Sequence, residues 1–88
     1  MKVVFAPKAW DHLRFWIEND KAVLKKLLQL IEDARRSPYV GLGKPEPLRG
    51  DLSGFWSRRI TDEHRLVYRV VQTGESQILE IAQCRFHY

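Results

Sequence analysis

The chain has 88 residues, 44% of them apolar, and three Trp, three Tyr and four Phe supply large side chains for a core. A chain of this length buries roughly 60 to 65% of its unfolded surface, so we expect a single domain over residues 1–88 and exclude a second core. The single cysteine excludes an internal disulfide, and no apolar stretch approaches the roughly 20 residues of a membrane span. The formal net charge of +4 favours polyanionic partners.

The first segments predict a strand followed by a helical hairpin. "KVVFA" is rich in β-forming residues and stops at Pro7, which suits the first position of a helix. Apolar residues then recur at three- and four-residue steps from Lys8 to Glu18, and a second stripe follows Asp20, a suitable N-cap. The second stripe contains Val23, Leu24, Leu27, Leu28, Ile31 and Ala34. Both stripes predict amphipathic helices, the second ending near Pro38.

Residues 37–51, "SPYVGLGKPEPLRGD", are rich in Pro and Gly and predict a long, irregular but stiffened loop. Three β-type runs follow: "SGFWSRRI", "RLVYRVV" and "QILEIAQCRFHY". Their short joints predict an antiparallel meander. The whole order, β-α-α-β-β-β, predicts an α+β fold with both helices on one face of the sheet.

Side-chain alternation predicts where the basic residues lie. Arg65 and Arg69 share one face of their strand, and Arg85 and His87 share one face of the last run, opposite Cys84. Because the apolar faces must lie under the helices, we expect these basic faces to point outward. An antiparallel register then places Arg65 opposite the stretch from Arg85 to His87. Arg65 and His87 are therefore expected to be neighbours.

A carboxylate on a stiff arm completes a set of groups suited to RNA cleavage. Pro45 and Pro47 hold Glu46 in an extended backbone. In-line attack of a 2′-hydroxyl on the adjacent phosphate needs a base, a cation and an acid. Glu46, Arg65 and His87 would supply these in that order. No metal or other cofactor is expected, because the three histidines lack ligand spacing with Cys or paired carboxylates.

Each of these residues also has a purely structural explanation. Glu46 would then be an exposed carboxylate that pairs loosely with Lys44 or Arg49. Arg65 would be a solvated strand residue. His87, although an imidazole followed by a phenol is an unexpected way to close the sequence, would be a frayed terminal residue.

Other polar and aromatic residues carry weaker signals. Cys84 lies on the helix-facing side and is expected to be a small buried apolar residue rather than a nucleophile. His64 lies in a turn on the same side, where a polar contact is expected rather than catalysis. Either Phe55 or Trp56 must be exposed, because that run alternates poorly.

The stretch "GKPEPLRGDLSGFWSRRITDEHRLVYRV" and the closing "CRFHY" closely resemble the YoeB/Txe toxins of the RelE superfamily. The resemblance runs through the whole chain and implies a RelE-like microbial ribonuclease fold and a ribosome-dependent messenger RNA endonuclease. It assigns Glu46 as general base, Arg65 as the phosphate-stabilising residue and the His87-Tyr88 pair as catalytic. The residues expected to bind RNA phosphate are Lys44, Arg49, Arg58, Arg59 and Arg85.

The same resemblance implies the partners. These are messenger RNA in the ribosomal A site, the ribosome with its RNA, and an inhibiting YefM-type antitoxin, with operator DNA reached only through that antitoxin. It leaves homodimerisation open and implies a cytoplasmic protein without a membrane partner. Two alternatives from other classes stay open: a non-catalytic poison of the same fold, like the ParE toxins that act on DNA gyrase, and a basic nucleic-acid-binding module.

Overall fold

The computed structural model describes Met1–Tyr88, and its elements follow the order that the sequence predicts. They are β1 (Lys2–Phe5), α1 (Pro7–Asn19), α2 (Lys21–Arg36), β2 (Glu46–Pro47), a 3-10 turn (Gly50–Leu52), β3 (Trp56–Arg59), β4 (Arg65–Thr73) and β5 (Ser76–Gln83). The strands form one sheet in the order β1-β5-β4-β3-β2. β1 is parallel to β5, and all other neighbours are antiparallel. The predicted α+β fold is confirmed, with β2 added inside the segment predicted to be irregular.

Local signals set the ends of the helical hairpin. Pro7 begins α1, where its missing N–H costs no hydrogen bond. Asp20 ends α1 and caps α2, and its Oδ1 accepts a hydrogen bond from the backbone N–H of Val23 at 3.1 Å. Arg35 and Arg36 lie in the last turn of α2, where positive charge suits the helix dipole. Neither helix has the length and apolar character needed to cross a bilayer.

Both helices pack on one face of the sheet. The shared core contains Ala9, Leu13, Trp16, Leu27, Leu30, Ile31, Ala34, Ile60, Leu66, Tyr68, Leu79, Ile81 and Cys84. The prediction that Leu28 is buried is wrong, since its side chain is 49% exposed. Leu28 lies about 100° around the helix from Leu27, at the edge of the apolar stripe. Leu30 is fully buried in its stead.

A β-bulge interrupts the alternation of β5. Val67 pairs with Gln83, but the next residue, Tyr68, pairs with Ile81, so Ala82 is an extra residue in the ladder. Alternation counted without the bulge would put Ile81 on the outward face with Gln83. Ile81 is instead fully buried in the core.

Arg85 follows the end of β5 and turns toward the helices. Its guanidinium carbon lies 3.4 Å from the centre of the Phe15 ring on α1. The prediction that Arg85 faces outward with Arg65 is therefore wrong. Strand alternation ends with the strand, at Gln83, and the aromatic face of Phe15 offers a favourable site for the cation.

Candidate active site on the open face of the sheet

A row of paired residues crosses the face of the sheet that the helices leave uncovered. Glu46 pairs with Ser57, Ser57 with Val67, and Val67 with Gln83. Residues directly opposite each other in antiparallel strands point to the same face. Because Tyr68, next to Val67, belongs to the core, this row belongs to the open face. Glu46 therefore lies on the open face, on the edge strand.

A second pair on the open face brings in two arginines. Arg59 and Arg65 pair across β3 and β4, two residues along from Ser57 and Val67. Two strand spacings and two residues separate Glu46 from Arg65, so their Cα atoms lie about 12 Å apart. Both residues therefore lie on the same face of the sheet, two strands apart.

The last residues return over the open face after a turn at Phe86. Phe86 has a φ of 68°, in the left-handed region that bulky residues rarely adopt. Its carbonyl oxygen accepts a hydrogen bond from the backbone N–H of Arg65 at 3.1 Å. The turn redirects the chain, so that His87 and Tyr88 lie over β3 and the loop that follows it.

Arg65 and His87 meet at the loop between β3 and β4. His87 Nε2 lies 3.1 Å from the carbonyl oxygen of Asp62, and Arg65 Nη1 donates to the same oxygen at 3.2 Å. Arg65 Nη1 also donates to the carbonyl oxygen of Thr61 at 2.7 Å. The prediction that Arg65 and His87 are neighbours is confirmed. Nε and Nη2 of Arg65 make no hydrogen bond within the chain and can bind an anionic oxygen.

Glu46 and Tyr88 both adjoin Ser57. The Tyr88 hydroxyl lies 3.0 Å from Ser57 Oγ, and Ser57 is the direct cross-strand partner of Glu46. None of the ion pairs in the structure includes Glu46, so its predicted alternative pairing with Lys44 or Arg49 is not observed. The Glu46 carboxylate is exposed and free to accept a proton or a hydrogen bond.

Arg58, in contrast, is completely buried. Its acceptors are the Asp33 carboxylate, the Tyr68 hydroxyl and the carbonyl oxygens of Ser37, Val40 and Leu42. All the N–H groups of the guanidinium are thus used within the chain. The prediction that Arg58 contacts RNA phosphate is wrong, because no donor remains for a ligand. Hydrogen bonds from Leu42 and then Arg58 lower the pKa of Asp33, which keeps this partner charged.

The other basic residues predicted to bind phosphate differ in their exposure. Lys44, Arg49 and Arg59 are exposed, and Arg59 is on the open face beside Arg65. Arg85 is half-buried against the ring of Phe15. The first three have side chains that an RNA backbone could reach directly.

The prediction that either Phe55 or Trp56 is exposed is wrong, because both side chains are half-buried. Trp56 packs against the core, with its ring centroid 4.8 Å from that of Tyr39. The guanidinium of Arg69 lies 4.8 Å from the centre of the Phe55 ring, and Arg69 Nε donates to Glu80 at 2.7 Å. Phe55 is therefore covered by a cation whose charge is already paired.

Cys84 and His12 lie near the turn at Phe86, on the side of the sheet that the helices cover. Cys84 is fully buried, and burial raises the pKa of its thiol to about 12, so the prediction of a buried apolar residue is confirmed. Its backbone N–H donates to Nδ1 of His12 at 3.1 Å. Burial, followed by the charge of Lys8, lowers the pKa of His12. No group of three or more His, Cys, Asp and Glu side chains is arranged to hold a metal ion.

The sequence does not single out Ser57, and it predicts a polar contact for His64 without identifying the partner. Ser57 binds the Tyr88 hydroxyl, and His64 accepts the backbone N–H of Phe86 at Nδ1. A lone serine in an apolar run has no distinguishing pattern. His64 was expected to make a polar contact, but its partner lies beyond the strand end, where pairing patterns no longer apply.

Comparison with known proteins places the chain in a family. Residues 5–88 match the model of the YoeB-like toxin of bacterial type II toxin–antitoxin systems. The chain belongs to this family of toxins. The toxin YoeB of Escherichia coli strain K12 is 56% identical over 88 residues, which is the full length of both chains.

Solved structures of YoeB-like toxins agree with this fold. A YoeB/ParE toxin from Agrobacterium tumefaciens has a TM-score of 0.95 and 55% identity, with both chains covered completely. A YoeB dimer and a YoeB–YefM complex from Staphylococcus aureus both have a TM-score of 0.87, at 38% and 37% identity, and each covers all of this chain and 98% of the other. The resemblance to the YoeB/Txe toxins is confirmed.

Proposed function

We propose that this YoeB-like toxin is a metal-independent endoribonuclease that cleaves messenger RNA in the ribosomal A site and so inhibits translation. The observation that carries the proposal is the convergence of Glu46, Arg65, His87 and Tyr88 on one face of the sheet. The Glu46 carboxylate makes no ion pair, and Nε and Nη2 of Arg65 make no hydrogen bond within the chain, so both groups are available to a substrate.

The proposed reaction is a transesterification within the RNA. Glu46 takes the proton of a 2′-hydroxyl, whose oxygen attacks the adjacent phosphorus. Arg65 donates to the non-bridging oxygens as negative charge builds on them, which serves in place of a metal ion. His87 gives a proton to the departing 5′-oxygen, and Tyr88 contacts the phosphate from the side of Ser57. The products are a 2′,3′-cyclic phosphate, or the 3′-phosphate formed from it, and a 5′-hydroxyl.

Dependence on the ribosome follows from the small size of the chain. A site on an open sheet face has few walls with which to orient a flexible RNA, and orientation supplies a large part of a reaction barrier. A ribosome that holds and bends the message would provide this orientation. Lys44, Arg49 and Arg59 are exposed and basic, and we assign them to phosphates of the message or of ribosomal RNA.

The remaining partners are proposed from the relatives. The YoeB–YefM complex of S. aureus supports a YefM-type antitoxin as the inhibitor, and the YoeB dimer of the same organism supports homodimerisation. Operator DNA would be contacted only through the antitoxin. Action on ribosomes assigns the toxin to the cytoplasm.

Cleavage of a translated message tests the proposal. Purified toxin is added to a translation reaction with and without ribosomes, and the 5′ ends and terminal phosphates of the fragments are mapped. We expect cleavage only on ribosomes, with 5′-hydroxyl ends, and its loss in Glu46→Gln. An intact message in the presence of active ribosomes would overturn the proposal, and inhibition of DNA supercoiling by gyrase in the same preparation would favour the ParE-like alternative.

A further inference from the structure

The turn that carries His87 into the site depends on an unusual residue. Phe86 is a bulky residue with a positive φ, and its side chain is 51% exposed, so burial of the ring does not explain the conformation. Its two backbone polar groups are both bound. The N–H donates to His64 Nδ1 at 2.8 Å, and the carbonyl oxygen accepts from the N–H of Arg65 at 3.1 Å.

His64 is itself held in one orientation. Its ring packs edge-to-face on Trp16, with 4.8 Å between the ring centroids. Its backbone N–H donates to Thr61 Oγ1, and its carbonyl oxygen accepts from Ile60. Acceptance of a hydrogen bond at Nδ1 requires the neutral imidazole with its proton on Nε2. The acceptor for the Phe86 N–H is therefore fixed in position.

A similar contact two residues earlier, at Cys84, serves as a comparison. His12 Nδ1 accepts the N–H of Cys84, but Cys84 is also held by the hydrogen bond from Trp16 Nε1 to its carbonyl oxygen, at 2.8 Å, and by burial of its thiol. Phe86 has the same two kinds of backbone bond, through His64 and Arg65, but its side chain is half exposed and adds no buried anchor like the Cys84 thiol. Loss of the His64 acceptor should consequently release the turn, whereas loss of the His12 acceptor should not.

We propose that His64 is a positioning residue that holds the left-handed turn at Phe86 and so aims His87 and Tyr88 at the RNA phosphate. His64 and Arg65 then act as one unit: the imidazole holds the N–H of Phe86, the Arg65 backbone holds its carbonyl, and the Arg65 guanidinium faces the site. The inference rests on the proposed nuclease function. His64 is not placed to touch substrate, because its ring packs on the core residue Trp16, on the side of the sheet that the helices cover.

Two substitutions at His64 test the role through activity. His64→Asn can present an oxygen near the position of Nδ1, and His64→Leu cannot. Under single-turnover conditions on programmed ribosomes we expect His64→Leu to lower the cleavage rate roughly 100-fold, as small misplacements of catalytic groups do, with little change in the toxin concentration for half-saturation. His64→Asn should recover most of the rate. His12→Leu removes the acceptor of the Cys84 N–H and an edge-to-face contact with the Phe86 ring, at 5.8 Å between centroids, but leaves the acceptor of the Phe86 N–H in place, and it should lower thermal stability more than it lowers the rate.

Two measurements on the folded toxin keep the inference separate from the nuclease proposal. In the wild type, nitrogen NMR should show His64 Nδ1 without a proton, and the Phe86 amide should exchange slowly with solvent. In His64→Leu the amide should exchange faster while core amides stay protected. A protonated Nδ1 in the wild type, or full cleavage by His64→Leu, would overturn the inference. Failure of the wild type to cleave any message would instead overturn the proposed function.

Discussion

Arg58 and Arg59 are neighbours in the sequence, but Arg58 is buried and Arg59 is exposed. Replacing each by methionine tests whether Arg58 is structural and whether Arg59 binds RNA as proposed. Arg58 is fully buried and donates to groups on α2, β4 and the loop that leads to β2. Arg59 is exposed on the open face. Methionine keeps part of the aliphatic stem and removes the guanidinium. We expect Arg58→Met to lower the free energy of unfolding, and Arg59→Met to leave it nearly unchanged and to weaken binding to ribosomes.

The magnitude follows from what each substitution leaves unpaired. Removal of one partner from a buried ion pair costs about 3–5 kcal/mol. Of the five acceptors that lose the guanidinium, two are partly compensated: the Asp33 side chain is 25% exposed, and the Tyr68 hydroxyl keeps its hydrogen bond to the Pro38 carbonyl at 2.6 Å. We therefore expect Arg58→Met to lose about 3 kcal/mol. Arg59→Met should stay within about 0.5 kcal/mol of the wild type, as is usual for surface substitutions.

Urea unfolding followed by tryptophan fluorescence gives the stability of each variant, and ribosome binding at several salt concentrations gives the number of phosphate contacts. Loss of one phosphate contact in Arg59→Met should reduce the salt slope by about 1, and Arg58→Met should keep the slope of the wild type under folding conditions. A stability loss below about 1 kcal/mol in Arg58→Met, with a reduced salt slope, would contradict the buried network and restore Arg58 as an RNA contact.

Glu46→Gln and His87→Ala should each slow ribosome-dependent cleavage by roughly a hundred- to ten-thousand-fold, because each removes a proton-transfer group, while ribosome binding stays near that of the wild type. Single-turnover rates measured beside binding check this, and equal losses in both would indicate a docking role. Arg65→Ala should lower kcat more than it raises KM, because the charge that it stabilises is greatest in the transition state; a change in KM alone would contradict this. Mild acid should weaken the fold through His12. Burial and a neighbouring lysine lower the pKa of His12 below its ordinary value of 6.5, so the unfolded chain takes up the proton first as the pH falls. The stabilising contribution of neutral His12 is complete above about pH 6.5 and declines below it. His12→Asn does not titrate and should lose less stability between about pH 7.5 and 5.5 in urea unfolding, whereas equal losses would exclude His12 as the cause.

The helices and the order of the elements along the chain could be predicted because their signals are local. A proline at the first turn, a capping Asp20 and an apolar stripe with helical period define α1 and α2 within their own residues. Arg65 and His87 are neighbours as predicted, but the turn at Phe86, and not strand register, brings His87 to Arg65. β2 was missed because a strand of only two residues, Glu46–Pro47, is too short to show an alternating pattern.

The wrong predictions concern contacts between distant segments. Arg58 is two residues from both Trp56 and Ile60 and so shares their face of the strand. Its direction toward the helices could therefore have been inferred. Its main partner, Asp33, lies on α2, 25 residues earlier, and no local pattern joins them. Arg85 shows the same limit at a strand end, where an aromatic ring from α1 determines the direction of the side chain. Strand-pairing rules predict the direction of a side chain only for residues inside the β-ladder.

The candidate site is consequently built from two parts that differ in how firmly they are held. Strand pairing places Glu46 and Arg65, whereas a few hydrogen bonds place His87 and Tyr88 beyond the end of β5. A hydrogen bond contributes about 1 kcal/mol, so release of the turn should cost only a few kcal/mol, below the roughly 5–15 kcal/mol that unfolds a typical domain. The proposed acid can therefore leave the site while the proposed base and cation stay in the folded sheet. Under the proposed mechanism, residues that touch no substrate, His64 first among them, would set the cleavage rate through the fraction of molecules in which the Phe86 turn is hydrogen-bonded.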